Sequence, residues 1–226
     1  MKVTYYGHSC FLINLGEKSI LFDPFISPNP LAANIDLNSI KTDYILISHG
    51  HEDHIADAIT IAKKSNATVL SNYEIVSWIQ NQGVKKAHPL NHGGKIKLEF
   101  GYVKFVNAVH SSVLPDGSYG GNPGGFIIKS DKNCFYYAGD TALTYDMKLI
   151  GELYKIDVAF LPIGDNFTMD IDDALICSNF IKCNKVIGMH YDTFKLIEIN
   201  KKNAKKSFSN IGKSIDLLKI GETKTY

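Results

Sequence analysis

The sequence contains no arginine: its 24 basic residues are all lysines, set against 23 acids, for a formal net charge of +1. The bidentate guanidinium clamp for phosphate is therefore missing, and the even charge balance offers no field for a nucleic-acid polymer or an anionic membrane. No apolar run reaches the roughly 18 residues of a membrane span. The opening MKVTYYGHSCFLINL lacks a long apolar segment ending in a small-residue cleavage site, so no signal peptide and a cytoplasmic location are expected. Cysteine is sparse: Cys10, Cys134, Cys177 and Cys183 are scattered in apolar contexts without CxxC spacing, which predicts buried, reduced thiols. The lone tryptophan, Trp78, lies in a helical stripe with Ile75 and is expected to be packed or half-exposed, not a cofactor platform. No linker, low-complexity tract or short-period repeat divides the chain, which predicts one domain over 1–226.

What is present alternates. KVTYY, CFLIN and SILFD are short β-rich runs punctuated by Gly7 and Gly16, and DYILIS is a continuous apolar strand of the buried type. IADAITIAKKS and NYEIVSWIQNQ carry helical spacing on either side of ATVLS. KIKLEF, YVKFVNAVH, GGFIIKS and NCFYYAGD predict four more strands; helix and strand runs then alternate to KVIGMH, a last helix within LIEINKKNAKKSFSN and a short strand at IDLLKI. Two β-rich blocks, each followed by helices, predict an α/β (α+β) fold of face-to-face sheets with helices outside.

Three of the eight histidines fall within SHGHEDH, where His49, His51, Asp53 and His54 form HxHxDH. On a helix, positions two apart face different ways, but at an extended strand end His49 and His51 can reach one cation. Asp53 and His54 follow at the turn into a helix. With this composition the pattern arises by chance on the order of once in a thousand such chains, and it directly follows a buried-type strand, where α/β proteins gather their sites. Four ligands would close a tetrahedral zinc and leave no position for chemistry. Other donors end β-runs further on: His110 in YVKFVNAVH, Asp140 in NCFYYAGD and His190 in KVIGMH. Each alone reads equally well as a cap or a support; together the seven could serve a two-metal site.

SHGHEDH, His110, FYYAGDT with Asp140, and His190 resemble, in order and type, the motifs of the metallo-β-lactamase superfamily. GHSCF, LFDPFIS, FLPIGDNFTM and MHYDTF more narrowly resemble its branch of uncharacterised metal-dependent hydrolases related to ascorbate-phosphate lactonases. The resemblance implies a four-layer αββα sandwich with the site at one sheet edge. It implies that His49, His51 and His110 hold one divalent metal and Asp53, His54 and His190 a second, with Asp140 bridging. Asp23, in LFDPF, would support the metal loop from behind. Zinc leads as the expected metal, with manganese or iron also suited to such mixed donors. A homo-oligomer is expected on the resemblance alone.

The expected function is a metal-dependent hydrolase that uses water activated by its metals to cleave an ester, lactone or phosphodiester bond of a small molecule, with Asp53 orienting the nucleophile and accepting its proton. His8, in YYGHSCF, is expected to border the site as a substrate contact or proton donor, or else to be a turn histidine. Asp165 and Asn166, with Thr168, either shape the substrate pocket or cap the next helix. Tyr191 and Asp192 would support the ligand beside them. His88 and His92 are read as loop residues, and the glycines at 120, 121, 124 and 125 as a turn or pocket rim. Three alternatives stand beside this: a small-nucleotide phosphodiesterase, a non-catalytic metal or ligand sensor on the same fold, and a redox di-iron centre, which would want an acid in place of His54.

Overall fold

The computed structural model describes residues 1–226. Its first half runs β1 (Lys2–Gly7), β2 (Cys10–Leu15), β3 (Lys18–Phe22), β4 (Tyr44–Leu46), α1 (Glu52–Ile55), α2 (Ala58–Ser65), β5 (Thr68–Asn72), α3 (Tyr73–Asn81) and β6 (Ala87–Leu90). The second runs β7 (Lys95–Leu98), β8 (Gly101–Asn107), β9 (Gly124–Ser130), β10 (Cys134–Tyr137), α4 (Asp146–Leu153), β11 (Val158–Pro162), α5 (Ile171–Phe180), β12 (Lys185–Met189), α6 (Lys201–Asn210) and β13 (Ser214–Asp216), before β14 (Thr223–Thr225) returns to β1. The strands form two seven-stranded sheets, ordered β14-β1-β2-β3-β4-β5-β6 and β13-β12-β11-β10-β9-β8-β7. In each, antiparallel strands give way to parallel ones, at β3 in the first sheet and at β10 in the second.

Strand alternation sorts the side chains. Phe11 and Ile13, Ile20 and Phe22, Tyr44 and Leu46 face the space between the sheets, while Cys10, Leu21, Ile45 and Ile47 face a smaller apolar layer with α2 and α3. The inter-sheet core is aromatic: Phe22 stacks on Tyr137 at 4.5 Å and Phe11 meets Phe160 edge-on at 5.0 Å. Burying each such ring contributes roughly 1.5–3 kcal/mol. Helices α4, α5 and α6 cover the far face of the second sheet through Met147, Ile150, Ala174 and Phe208, which gives the four-layer αββα sandwich of the metallo-β-lactamase fold.

Several expectations shift. Asp53 and His54 lie within a short helix of their own, α1, and the helical stretch after them is α2, while β8 and β10 stop three residues short of His110 and Asp140. His88 lies in β6, a short Pro-bearing edge strand, and not in a loop. Gly124 and Gly125 belong to β9, where a Cβ on Gly124 would run into the Phe105 ring. Trp78 is partly buried and donates to Asp116 Oδ2 at 2.7 Å. The four cysteines are buried free thiols, and no helix is long and apolar enough to cross a membrane.

Candidate metal centre

Strand direction decides which loops meet. Two antiparallel steps make β1 run with β3, and parallel pairing carries that direction to β4; likewise β8 runs with β10 and β12. The segments after these strands carry His8, Asp23, His49–His54, His110, Asp140 and His190. Backbone bonds seam the two edges together: His190 N–H donates to the His8 carbonyl at 2.9 Å, and Gly124 N–H to that of Ser48 at 3.0 Å. Gly139, at φ +64, lets the loop after β10 pass against Ser48, where a Cβ would sit 2.8 Å from the serine Cβ. His8, Asp23 and His190 also hold left-handed backbone, at φ 54, 40 and 55, a strain that the surrounding structure sustains at the site.

Two donor groups result. The rings of His49, His51 and His110 stand mutually edge-on with centroids 4.6–5.1 Å apart. Asp53, His54, His190 and His8 form the other group, each offering an atom within 4.8 Å of the rest. Asp140 lies between them: its Oδ2 is 2.9 Å from His190 Nε2, 3.2 Å from His54 Nε2, 3.6 Å from His110 Nε2 and 3.9 Å from His49 Nε2. All seven donors named from the sequence thus converge.

Supporting hydrogen bonds fix which nitrogen faces inward. Asp23, fully buried, accepts from Ser48 N–H at 2.7 Å, Ser48 Oγ–H at 2.6 Å, Tyr137 O–H at 2.7 Å and His54 Nδ1 at 2.9 Å. With its proton committed to Asp23, Ser48 Oγ accepts from His49 Nδ1 at 2.9 Å. Both histidines therefore turn Nε2 to the centre. His49 Nε2 then lies 2.9 Å from His51 Nδ1, and two such lone pairs repel unless a proton or cation is shared between them. His54 Nε2 and Asp140 Oδ1 are buried with no hydrogen-bond partner, which a folded protein tolerates where a ligand satisfies them.

The electrostatics agree. Burial pushes the His49, His51 and His110 pKa values down, keeping these rings neutral donors. Burial also opposes charge on His54, yet Asp140, Asp53 and Asp23 outweigh it and hold His54 well above the usual histidine range. Burial disfavours the charged forms of Asp140 and Asp53 too, but His190 and His54 hold Asp140 ionised, and His54 and His8 do the same for Asp53. The carboxylates thus demand positive charge at this spot, and the neutral imidazoles around them suit a divalent cation.

His8 sits behind Asp53. Burial and His190 lower its pKa to about 4, so the ring is neutral; its Nε2–H donates to Asp53 Oδ2 at 3.1 Å, and Nδ1 accepts from Thr193 Oγ–H at 2.9 Å. A cavity of about 340 Å³ opens over the centre, lined by His51, Asp53, His110, Ser111, Asp140, His190, Phe167 and Phe194. His8 does not line this cavity but holds Asp53 at its wall, and it lines a second cavity of about 350 Å³ together with Thr193. Asp165 and Asn166 form a tight turn at φ 63 and 54 that leaves Phe167, not them, at the cavity, and the helix they might have capped is capped by Asp170, which accepts from Asp173 N–H at 2.8 Å. Asp192 pairs with Lys201 at 2.7 Å, and both Tyr191 and Asp192 line that second cavity with His8. His92 bonds the Pro123 carbonyl at 2.8 Å and stacks on Phe105.

Reasoning from sequence missed Ser48, Tyr137, Thr193, Phe167 and Phe194. Ser48 directly precedes His49, and the others fall within FYYAGDT, FLPIGDNFTM and MHYDTF, so membership of those stretches was the usable signal. It also missed Asp57, which accepts from Ile26 N–H at 2.6 Å, Ser27 N–H at 2.8 Å and Ser27 Oγ–H, and so pins the loop after β3 to the start of α2.

Residues 2–190 match the family model described as the β-lactamase superfamily domain. Over 223 residues, 99 % of each chain, the sequence is 56 % identical to a UPF0173 metal-dependent hydrolase of Flavobacterium johnsoniae. The chain belongs to the UPF0173 metal-dependent hydrolases of the β-lactamase superfamily. Another UPF0173 metal-dependent hydrolase, from Methylacidiphilum infernorum, is 51 % identical over the same 99 % of each chain. Among solved structures, Igni18, a metallo hydrolase of Ignicoccus hospitalis, superposes with a TM-score of 0.89 at 36 % identity, covering 100 % of this chain and 97 % of that one. This UPF0173 protein is thus a metal-dependent hydrolase, and the centre at the joined sheet edges is where its donors gather.

Proposed function

We propose that the centre binds two divalent ions, zinc first, and hydrolyses an ester, lactone or phosphodiester bond of a small molecule. The observation that carries this reading is the convergence of seven donors, with His54 Nε2 and Asp140 Oδ1 buried and unpartnered among them. His49, His51 and His110 would hold one ion; Asp53, His54 and His190 the other; Asp140 both. When bound, the ions supply Lewis acidity and make water nucleophilic near neutral pH. Asp53, ionised and a quarter exposed to the cavity, can accept a proton from the attacking water. His8, neutral and anchored by Thr193, keeps that carboxylate aimed. Ser111, whose hydroxyl lies 3.4 Å from His51 Nε2, offers substrate a hydrogen bond at the rim. The buried thiols suit a reducing, cytoplasmic setting.

The test is metal analysis of purified protein followed by a panel of lactones, aryl esters, bis(p-nitrophenyl) phosphate and cyclic nucleotides. Turnover of one class, abolished by chelation and restored by metal, is expected. Full metal occupancy with no hydrolysis across the panel would instead favour a sensor.

A further inference from the structure

Beyond the acids and histidines, the side chains lining the metal cavity are Ser111, Phe167 and Phe194. Phe167 is 51 % and Phe194 40 % exposed, whereas Phe11, Phe22 and Phe160 are fully buried. Half-exposed aromatic faces beside a polar centre mark a surface that an apolar group would cover favourably.

Both rings are held in place from behind. Phe194 packs edge-on to His8 at 5.5 Å and lies 6.4 Å from Phe25. The turn bearing Phe167 closes through Asp165 N–H to the Met169 carbonyl at 3.1 Å, and Met169 N–H donates to the Thr141 carbonyl at 3.0 Å, next to Asp140. Val109, exposed just before His110, has its backbone tied to the same segment: its N–H donates to Thr141 Oγ1 at 3.0 Å and its carbonyl accepts from Ala142 N–H at 3.0 Å. The rim is thus apolar at two points on two connections, Phe167 and Phe194. No lysine lines the cavity, and its acidic groups are Asp53 and Asp140. An anionic group on the non-reacting part of a substrate would lose hydration there against aromatic faces with no cationic side chain to replace it.

We propose that the part of the substrate away from the scissile bond is uncharged and carries an aryl or alkyl group that packs on Phe167 and Phe194, so that carboxylic esters and lactones neutral in that part are preferred over their anionic counterparts. In the reaction, the oxygen of water bonds to the acyl carbon, the bond from that carbon to the leaving oxygen breaks, and the leaving oxygen takes up a proton. The products are a carboxylic acid and an alcohol, or one hydroxy acid from a lactone. The proposal rests on the hydrolase reading above and narrows its substrate.

The test compares metal-loaded enzyme on p-nitrophenyl butyrate and its anionic counterpart p-nitrophenyl hemisuccinate. The neutral ester should show kcat/KM at least about tenfold above the anion. Phe167→Ala and Phe194→Ala should each raise its KM roughly three- to tenfold, more than they lower kcat, with metal content unchanged and with Phe→Leu restoring part of the loss. Equal or better turnover of the anionic ester, or unchanged KM in both alanine variants, overturns the proposal while leaving the hydrolase reading intact. A second measurement is independent of turnover: calorimetric binding of the neutral amide N-(4-nitrophenyl)butanamide should weaken by the same factor in both variants. If no ester is hydrolysed but this binding behaves as stated, the hydrolase reading fails and the apolar site stands; if the amide binds all three proteins alike, the apolar site fails.

Discussion

The two halves share a scaffold and place their donors on it differently. In both, a backbone bond follows the strand at which pairing turns parallel: Asp23 N–H reaches from the end of β3 to the Leu46 carbonyl as Ala138 N–H reaches from the end of β10 to Phe160. His49 lies three residues past the end of β4 as Asp165 lies three past the end of β11, while β12 leads into His190 where β5 carries Ser71 at its penultimate position, whose hydroxyl merely donates to the Ile47 carbonyl at 2.7 Å. The first half thus crowds four donors into the segment after β4, its central crossing point, and uses the end of β3 only for support by Asp23. The second half leaves the equivalent segment after β11 out of the centre and uses its neighbours, β10 for Asp140 and β12 for His190. One topology can present ligands from alternate strand ends because all of those ends open on the same edge.

Asp140 is where the comparison breaks most sharply. Asp140→Ala removes the group that lies within 3.9 Å of four histidines, two from each half, so turnover should fall on the order of a thousandfold or more. Loss of ions from both sites, read by elemental analysis, should accompany it; near-normal metal content would mean that each half holds its ion unaided. A finer division comes from His110→Ala and His54→Ala, which should each cut metal content from about two ions to about one while retaining the fold by circular dichroism. Identical loss of both ions in the two variants would erase the division between the groups.

Asp23→Ala tests the support that only the first half has. Four hydrogen bonds to a buried carboxylate disappear, so metal affinity should fall about 10- to 100-fold and thermal unfolding should show a stability loss of roughly 3 kcal/mol. The seam at His8 predicts a pH effect in metal-stripped protein. Its pKa lies at about 4 when folded against 6.5 ordinarily, so the unfolded chain takes up the proton first and stability from this group is lost as pH falls from 6.5 towards 4. The loss is worth up to roughly 3 kcal/mol, and His8→Gln should flatten that part of the profile in denaturant titrations. The smallest effect belongs to Asp165→Ala: although it follows β11 as His49 follows β4, it should change kcat/KM less than about twofold, as expected for a surface turn away from the donors. A metal-binding defect there would restore the symmetry that the geometry denies.

The sequence by itself determined much of the first half. HxHxDH is legible because its donors are neighbours in the chain, so the local geometry of a strand end and a helix start already brings them together. The inter-sheet strands were legible through their alternation, as in Phe11, Ile13 and Leu15. By contrast β14 is exposed throughout and carries no alternation, so it exists only because β1 offers an unpaired edge. His110, Asp140 and His190 were nameable as strand-end donors, but their shared centre depends on strand directions that pairing sets. Only the tertiary structure turned Asp165 away, put His8 behind Asp53, and brought Phe167 and Phe194 to the cavity. Those positions follow from which chain ends meet across two sheets, and that is a long-range property that no spacing within a short segment encodes.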